Sequence, residues 1–209
     1  MALISLSGLI GSGKDTVSDY LVTECGYTRE SFAGPLKDAV SVIFNWDREM
    51  LEGKTAEARA RREVVDRWWA KRLDIPHLTP RWVLQHFGTE VCRNNFHDAI
   101  WIASLENKLH GLEGKDIVVS DVRFINELEM LEKIGAKTVR VFRGDNPEWW
   151  ETALAVPKYD EALVKMQTVY GSIHQSEWDW APHKFDVLLS NNGTLEDLYV
   201  GIRNQVLSD

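Results

Sequence analysis

Basic residues are in short supply in this 209-residue chain: 24 Lys and Arg stand against 32 Asp and Glu, a formal net charge of −8. A general polyanion binder needs the opposite balance, so nucleic acid is not expected as a partner. A small anionic ligand in a local basic pocket is still compatible with that charge. Cysteine is scarce too. Cys25 and Cys92 have no paired-ligand spacing, which argues against a disulfide framework or a zinc site and makes a reducing cytoplasm the expected setting. No long hydrophobic run is present. The opening MALISLSGLI lacks a basic n-region and passes straight into a glycine loop, so it reads as a first strand, and no membrane association is expected. Repeats and low-complexity tracts are absent, and His77, His86 and His97 lack short metal-ligand spacing.

What is present is an ordinary globular composition, 44% hydrophobic and 27% charged, in a length suited to one well-filled core. Apolar runs alternate with helical patterns. Strands are predicted at 2–7, 27–33, 117–121, 137–143 and 185–191. Helices follow at 15–26, 35–46, 126–136 and 194–207, the last capped by Thr194 with Asp197 three residues on. Five strands interleaved with helices imply an α/β fold, a parallel sheet between two helical layers. We expect a single domain over 1–209, interrupted by a mostly helical insertion at about 46–112 and a second, lid-like one at about 144–184. Insertions of that length are commonly covers over a site.

The stretch SGLIGSGKDT carries the clearest chemistry. Gly8, Gly13 and Lys14 keep the register of a phosphate-binding loop, G-x-x-x-x-G-K-[ST], between a predicted strand and a predicted helix. Such a loop turns backbone N–H groups inward around a phosphate, and the helix N-terminus adds positive potential. Asp15, however, stands where a hydroxyl should be, with Thr16 one place late. From the residues alone Asp15 is either a Mg²⁺ ligand, direct or through water, or a favourable first-turn acid.

That loop, followed in order by FAGPLKDAV, LQHFGTEVCRNNFHDAIWI, SDVRFINELE, HQSE and DVLLSNNGTLEDL, resembles the deoxynucleoside monophosphate kinases of tailed bacteriophages. The resemblance spans nearly the whole chain and is poor at 46–79 and 144–170. It implies a three-layer P-loop kinase fold with a helical acceptor-binding insertion and a lid. It also implies transfer of a phosphoryl group from ATP, with Mg²⁺, to deoxynucleoside 5′-monophosphates in the host cytoplasm. Since the family loop similarly reads G-K-D-T, Asp15 looks like a family variant. Gly11, Ser12, Gly13, Lys14, Asp15 and Thr16 are then expected to bind ATP, with Asp15 and Thr16 at the metal.

A monophosphate acceptor has a second pKa of about 6, as a phosphoserine does, so no strong base is needed and converging arginines are expected instead. Arg123 and Asp121 lie at the end of the third strand, on the edge that faces the site in open parallel sheets. Their alternative is a local ion pair. Arg143 follows the fourth strand, as a phosphate contact or a solvated strand end. Lys37 reads as an acceptor-side residue or a snorkelling surface lysine. Arg81, Gln85, Thr89 and Arg93 recur at helical spacing. The resemblance carries Arg81, Gln85, Asn94 and Asn95 toward the acceptor, and Arg93 and Glu127 are grouped with them. Capping is the other reading for the Asn pair. Most of the nine tryptophans are assigned to core packing. His174 and Glu177 receive no role. A dephospho-coenzyme A kinase-like enzyme and a non-catalytic nucleotide switch stay open as alternatives, as do the accepted base and a homodimer.

Overall fold

The computed structural model describes residues 2–208. Strand β1 (Leu3–Ser7) is buried at all five positions, as a strand covered on both faces must be. The glycine loop feeds α1 (Lys14–Cys25), which Gly26 stops in the left-handed conformation at φ 75°. A short β2 (Thr28–Glu30) precedes α2 (Gly34–Phe44), with proline in its first turn. Four short helices follow: α3 (Arg48–Glu52), α4 (Ala56–Arg62), α5 (Arg67–Leu73) and α6 (Pro80–Gln85). Each starts on a side chain, Asp47, Thr55, Asp66 or Thr79, that accepts N–H bonds from the first turn. Helix α6 runs on into a π-helical stretch, His86–Asn94, before α7 (Ile100–His110). Then come β3 (Ile117–Val119), α8 (Ile125–Lys133), β4 (Lys137–Phe142), α9 (Trp150–Ala155), α10 (Asp160–Thr168) and a 3₁₀ turn, Gln175–Glu177. The chain closes with β5 (Val187–Ser190) and α11 (Leu195–Gly201), the latter passing into a π-helical turn, Ile202–Val206.

The five strands form one parallel sheet in the order β2-β3-β1-β4-β5. The α/β class and the parallel sheet are therefore as expected, as is the Thr194–Asp197 capping box. Connections leaving β1 and β3 depart in opposite directions along the sheet, and crevices for ligands form at the carboxyl ends of such strands.

Three expectations need correction. Strand β3 ends at Val119, two residues short, because β2 offers partners only from Thr28 to Glu30. The last bond of that edge runs from the N–H of Ser120 to Glu30 O at 3.3 Å. Asp121 and Arg123 thus sit in the turn that follows and not on one face of a continuing strand. The stretch from Arg81 to Phe96 is not one regular helix either. From His86 its bonds run i to i+5, so Thr89 and Arg93 leave the stripe started by Arg81 and Gln85. The predicted last helix likewise changes winding at Ile202.

The chain forms two compact units, Met1–Ser31 with Leu112–Asp209, and Phe32–Gly111. The first holds the sheet, its core built from Ile4, Leu6, Val17, Leu21, Val139 and Leu198 among others. Trp149, Trp150, Trp178 and Trp180 are buried in this unit as well, so the 144–184 stretch carries its own aromatic packing. The second unit has a separate core of Leu36, Val40, Met50, Leu51, Leu78 and Val83, flanked by Trp46, Trp69, Trp82 and Trp101. It begins at Phe32, ahead of residue 46, because α2 lays Leu36 and Val40 against the insertion helices. No helix among the described residues is long and apolar enough to cross a membrane.

Candidate functional site

The loop after β1 is held from two sides. A Cβ on Gly8 would lie 2.3 Å from Val141 O, and one on Gly13 would lie 2.3 Å from Asn191 Nδ2. Gly13 also has φ 103°, in the left-handed region. Both positions therefore exclude any side chain. Asn191, at the carboxyl end of β5, donates from Nδ2 to Ser12 O at 2.9 Å, and its N–H donates to Phe142 O at 2.8 Å. The ends of β4 and β5 thereby clamp the loop.

Lys14 folds back over this loop, its Nζ donating to Gly8 O at 2.8 Å and Leu9 O at 3.0 Å. Burial pushes its ammonium down to about 8, and the Arg123 guanidinium beside it pushes the same way. Asp15, Glu177 and Asp121 pull in the opposite direction without prevailing. So Lys14, Asp15, Asp121 and Arg123, all named from the sequence, come within electrostatic reach of one another. Burial is the main cause of the lysine's shift, and a buried ammonium gains when an anion binds beside it, which suits an anion site.

The residues fit a bound oligophosphate. Two glycines at which any Cβ would clash line the cradle, a twelve-residue helix starts there, and the Oγ of Ser12 is buried with no hydrogen-bond partner. For a divalent ion, Asp15 offers an exposed carboxylate and Thr16 a half-buried hydroxyl. No group of three or more His, Cys, Asp or Glu among the described residues is placed to hold a metal. Magnesium in such chemistry takes one or two carboxylates and otherwise water and phosphate, so this donor set suits an ion that arrives with a nucleotide.

The turn that carries Arg123 is fixed at three points. Glu127, expected on the acceptor side, is 2% exposed, and its Oε2 accepts the N–H of Arg123 at 2.8 Å and of Phe124 at 3.1 Å. It closes the first turn of α8 as a capping carboxylate, with its reach to solvent lost to burial. Asp179 accepts the N–H of Ile125 at 2.9 Å. Glu177 takes the Arg123 guanidinium, Nη1 to Oε1, at 2.7 Å. Arg143 is exposed just past β4, while Arg140 is half-buried with its guanidinium 3.9 Å from the Trp150 ring centre.

The acceptor-side candidates lie in the helical unit, several of them already paired. Lys37 donates to Glu52 Oε1 at 2.9 Å, and Arg48 joins Glu52 to Asp38 at 2.6 Å each. Arg81 stands 3.4 Å from Glu63, and Gln85 is half-buried one turn on. Arg93 is 5% exposed, its Nη1 donating to Asp98 O at 3.3 Å, so it braces the turn after the π-helical stretch. Asn94 and Asn95 are exposed, and Asn95 Nδ2 donates to Glu90 O at 2.6 Å, the helix-end bond that was its alternative reading.

Sequence reasoning singled out Glu177 without giving it a role, and missed Asp179 and Asn191. For Asn191 a signal existed: it closes the apolar run of β5 as Asp121 follows that of β3. Glu177 stands in the HQSE motif, but its partner lies 54 positions away, so the motif alone gave it no role.

Comparison with known proteins finds relatives among viral kinases. Residues 52–152 match the model of the family described as deoxynucleotide monophosphate kinase. A protein of Acanthamoeba polyphaga mimivirus, provisionally named a deoxynucleotide monophosphate kinase, is 28% identical over 95% of this chain and 93% of its own. The deoxynucleoside-5′-monophosphate kinase of Escherichia phage T5 is 28% identical over 63% of this chain and 72% of its own. Among solved structures, a dephospho-CoA kinase from Campylobacter jejuni covers 98% of this chain and 95% of its own, at 14% identity and a TM-score of 0.47. With its parallel sheet and glycine loop, the chain is a kinase, similar to the viral deoxynucleotide monophosphate kinases over most of its length.

Proposed function

We infer that this chain transfers the γ-phosphoryl group of ATP, with Mg²⁺, to deoxynucleoside 5′-monophosphates, giving diphosphates for dNTP supply. One observation carries the reading: Lys14 folds back over the glycine loop that leaves β1, with Arg123 in the turn that leaves β3, the neighbouring strand. Two cations side by side suit a transfer in which negative charge flanks the moving group on both sides.

In this reading an oxygen of the acceptor phosphate bonds to the γ-phosphorus, and the bond to the β-bridging oxygen breaks, leaving ADP. The backbone of Gly11, Ser12 and Gly13 cradles the donor phosphates, with Thr16 beside them. Lys14 stabilises the charge that develops on the transferring group. The planar fork of Arg123 bridges donor and acceptor oxygens, a geometry that lysine does not copy. Asp15 and Thr16 would hold Mg²⁺, directly or through water, with Asp121 nearby; that ion would supply charge neutralisation. Arg143 reaches the phosphates from the end of β4. Lys37, Arg81, Gln85, Asn94 and Asn95 are assigned to the acceptor, while Arg93 and Glu127 each support a turn within their own unit. Nucleotides are its partners, and the host cytoplasm its location.

The test is a panel: ATP, Mg²⁺ and each common NMP and dNMP, with hydroxyl acceptors alongside. We expect dNDP and ADP in equal amounts from at least one dNMP. Transfer to hydroxyl acceptors alone would overturn the reading.

A further inference from the structure

Arg123 is held from the far side by a segment that the transfer chemistry leaves without a role. Between α10 and β5 the chain returns to the turn after β3 and makes paired contacts 54 positions apart. Asp179 caps the first N–H of α8, and Glu177 binds the Arg123 guanidinium. Gln175 Nε2 donates to Asp179 at 2.9 Å, and the N–H of Ser176 donates to His174 Nδ1 at 3.2 Å. Trp178 and Trp180, 5% and 1% exposed, anchor the segment from below. The backbone of Arg123 is already fixed by Glu127.

An ion pair used only as a staple would be redundant here, since Asp179 and the two tryptophans already tie the segment down. The pair has another feature: Glu177 keeps 17% of its side-chain surface exposed and Arg123 keeps 37%, so the acid is the fixed partner and the arginine the presented one. One Nη is engaged, and a guanidinium carries five N–H donors in a rigid fork.

We propose that Glu177 is a positioning residue for Arg123, pinning one edge of its guanidinium so that the remaining donors are oriented toward phosphate oxygens at the loop. The proposal rests on the phosphoryl-transfer reading above. It also accounts for the acid beside two cations: of the groups facing Lys14, Arg123 opposes its charge while Asp15, Glu177 and Asp121 support it.

The experiment compares wild type, Glu177→Gln, Glu177→Ala, Arg123→Ala and the double variant Arg123→Ala/Glu177→Ala, at saturating ATP and dNMP. If Glu177 acts through Arg123, Glu177→Ala lowers kcat by about tenfold, with KM for ATP within about threefold. In the Arg123→Ala background the same change costs less than about twofold, the non-additivity of residues in contact. Glu177→Gln, which keeps an acceptor oxygen, falls between wild type and Glu177→Ala. Guanidinium ¹⁵N spectra read the positioning without any reaction: separate Nη signals of Arg123 in wild type, merging in Glu177→Ala. Equal losses in both backgrounds, an unchanged kcat, or Nη signals already merged in wild type would each overturn the proposal. A wild-type enzyme inactive on every dNMP would instead sink the phosphoryl-transfer reading, and the spectra would still decide the role of Glu177.

Discussion

Cations are treated differently in the two units. At the end of β1, Lys14 hydrogen-bonds only to carbonyl oxygens, lies beside Arg123 and is pushed down to about 8. In the helical unit, Lys37 and Arg48 share Glu52, whose carboxyl is pulled down to about 2 by these two partners although burial alone would raise it. Arg81 faces Glu63 there as well. In the first region burial disfavours the ammonium, a cost that an incoming anion relieves. The second has neutralised its charge internally, so a phosphate must displace an acid before it gains a cation. Binding at the two places should therefore respond differently to substitution and to pH.

The largest expected effect is at the glycine loop. Lys14→Ala should lower turnover by 10² or more, as removal of a charge contact to the transition state typically does. The same variant should not lose stability. Folded Lys14 releases its proton near pH 8 and the unfolded residue near 10.5, so between those values the unfolded chain binds more protons. Stability of the wild type should accordingly rise from pH 8 to 10.5, by up to about 3 kcal/mol from this group. Denaturant titrations across that range check it, and Lys14→Ala should flatten the rise.

Next comes Arg123→Lys. It keeps the charge and loses the fork, so kcat for dNMP phosphorylation should fall by at least about tenfold while ATP affinity changes little. A loss of ATP affinity would move Arg123 to the donor side.

At the neutralised end the effects should be smaller and fall on binding. Arg81→Ala should raise KM for the dNMP by about five- to tenfold with kcat within about twofold, because removing a contact that binds ground and transition states alike spares kcat. Steady-state kinetics on one good acceptor check this.

Smallest of all, Lys37→Ala should lower stability by about 1–2 kcal/mol, a figure discounted for the one-third exposure of Glu52. The sign with pH is opposite to that of Lys14. Stability from the depressed Glu52 is present above pH 4.5 and lost as pH falls toward 2, since the unfolded carboxyl takes its proton first. Lys37→Ala should soften that acid loss. Equal acid sensitivity in both proteins would mean that Arg48 alone sustains Glu52.

What was legible in the sequence follows the same divide. The loop was readable because backbone geometry demands glycine at 8 and 13, and nothing else fits beside Val141 and Asn191. Asp121 and Arg123 were readable because carboxyl ends of parallel strands face a crevice, although the strand ended earlier than its apolar run suggested. The helical unit was less so. Charge alternation does not say which acid pairs with which cation, and the shift to i to i+5 bonding at His86 has no marker in a pattern read at helical spacing. Arg93 went inward for that reason. Contacts across long separations, Glu177 with Arg123 and Asn191 with Ser12, were beyond any local pattern.

The most direct test of the central claim follows the phosphoryl group itself. Wild-type protein is mixed with γ-labelled ATP and one dNMP in a single turnover, with Mg²⁺ or with excess chelator, and the products are separated. The account expects the label in the dNDP when Mg²⁺ is present, and little transfer when it is removed. Label appearing only in inorganic phosphate, or transfer to the dNMP at full rate without a divalent ion, would contradict it.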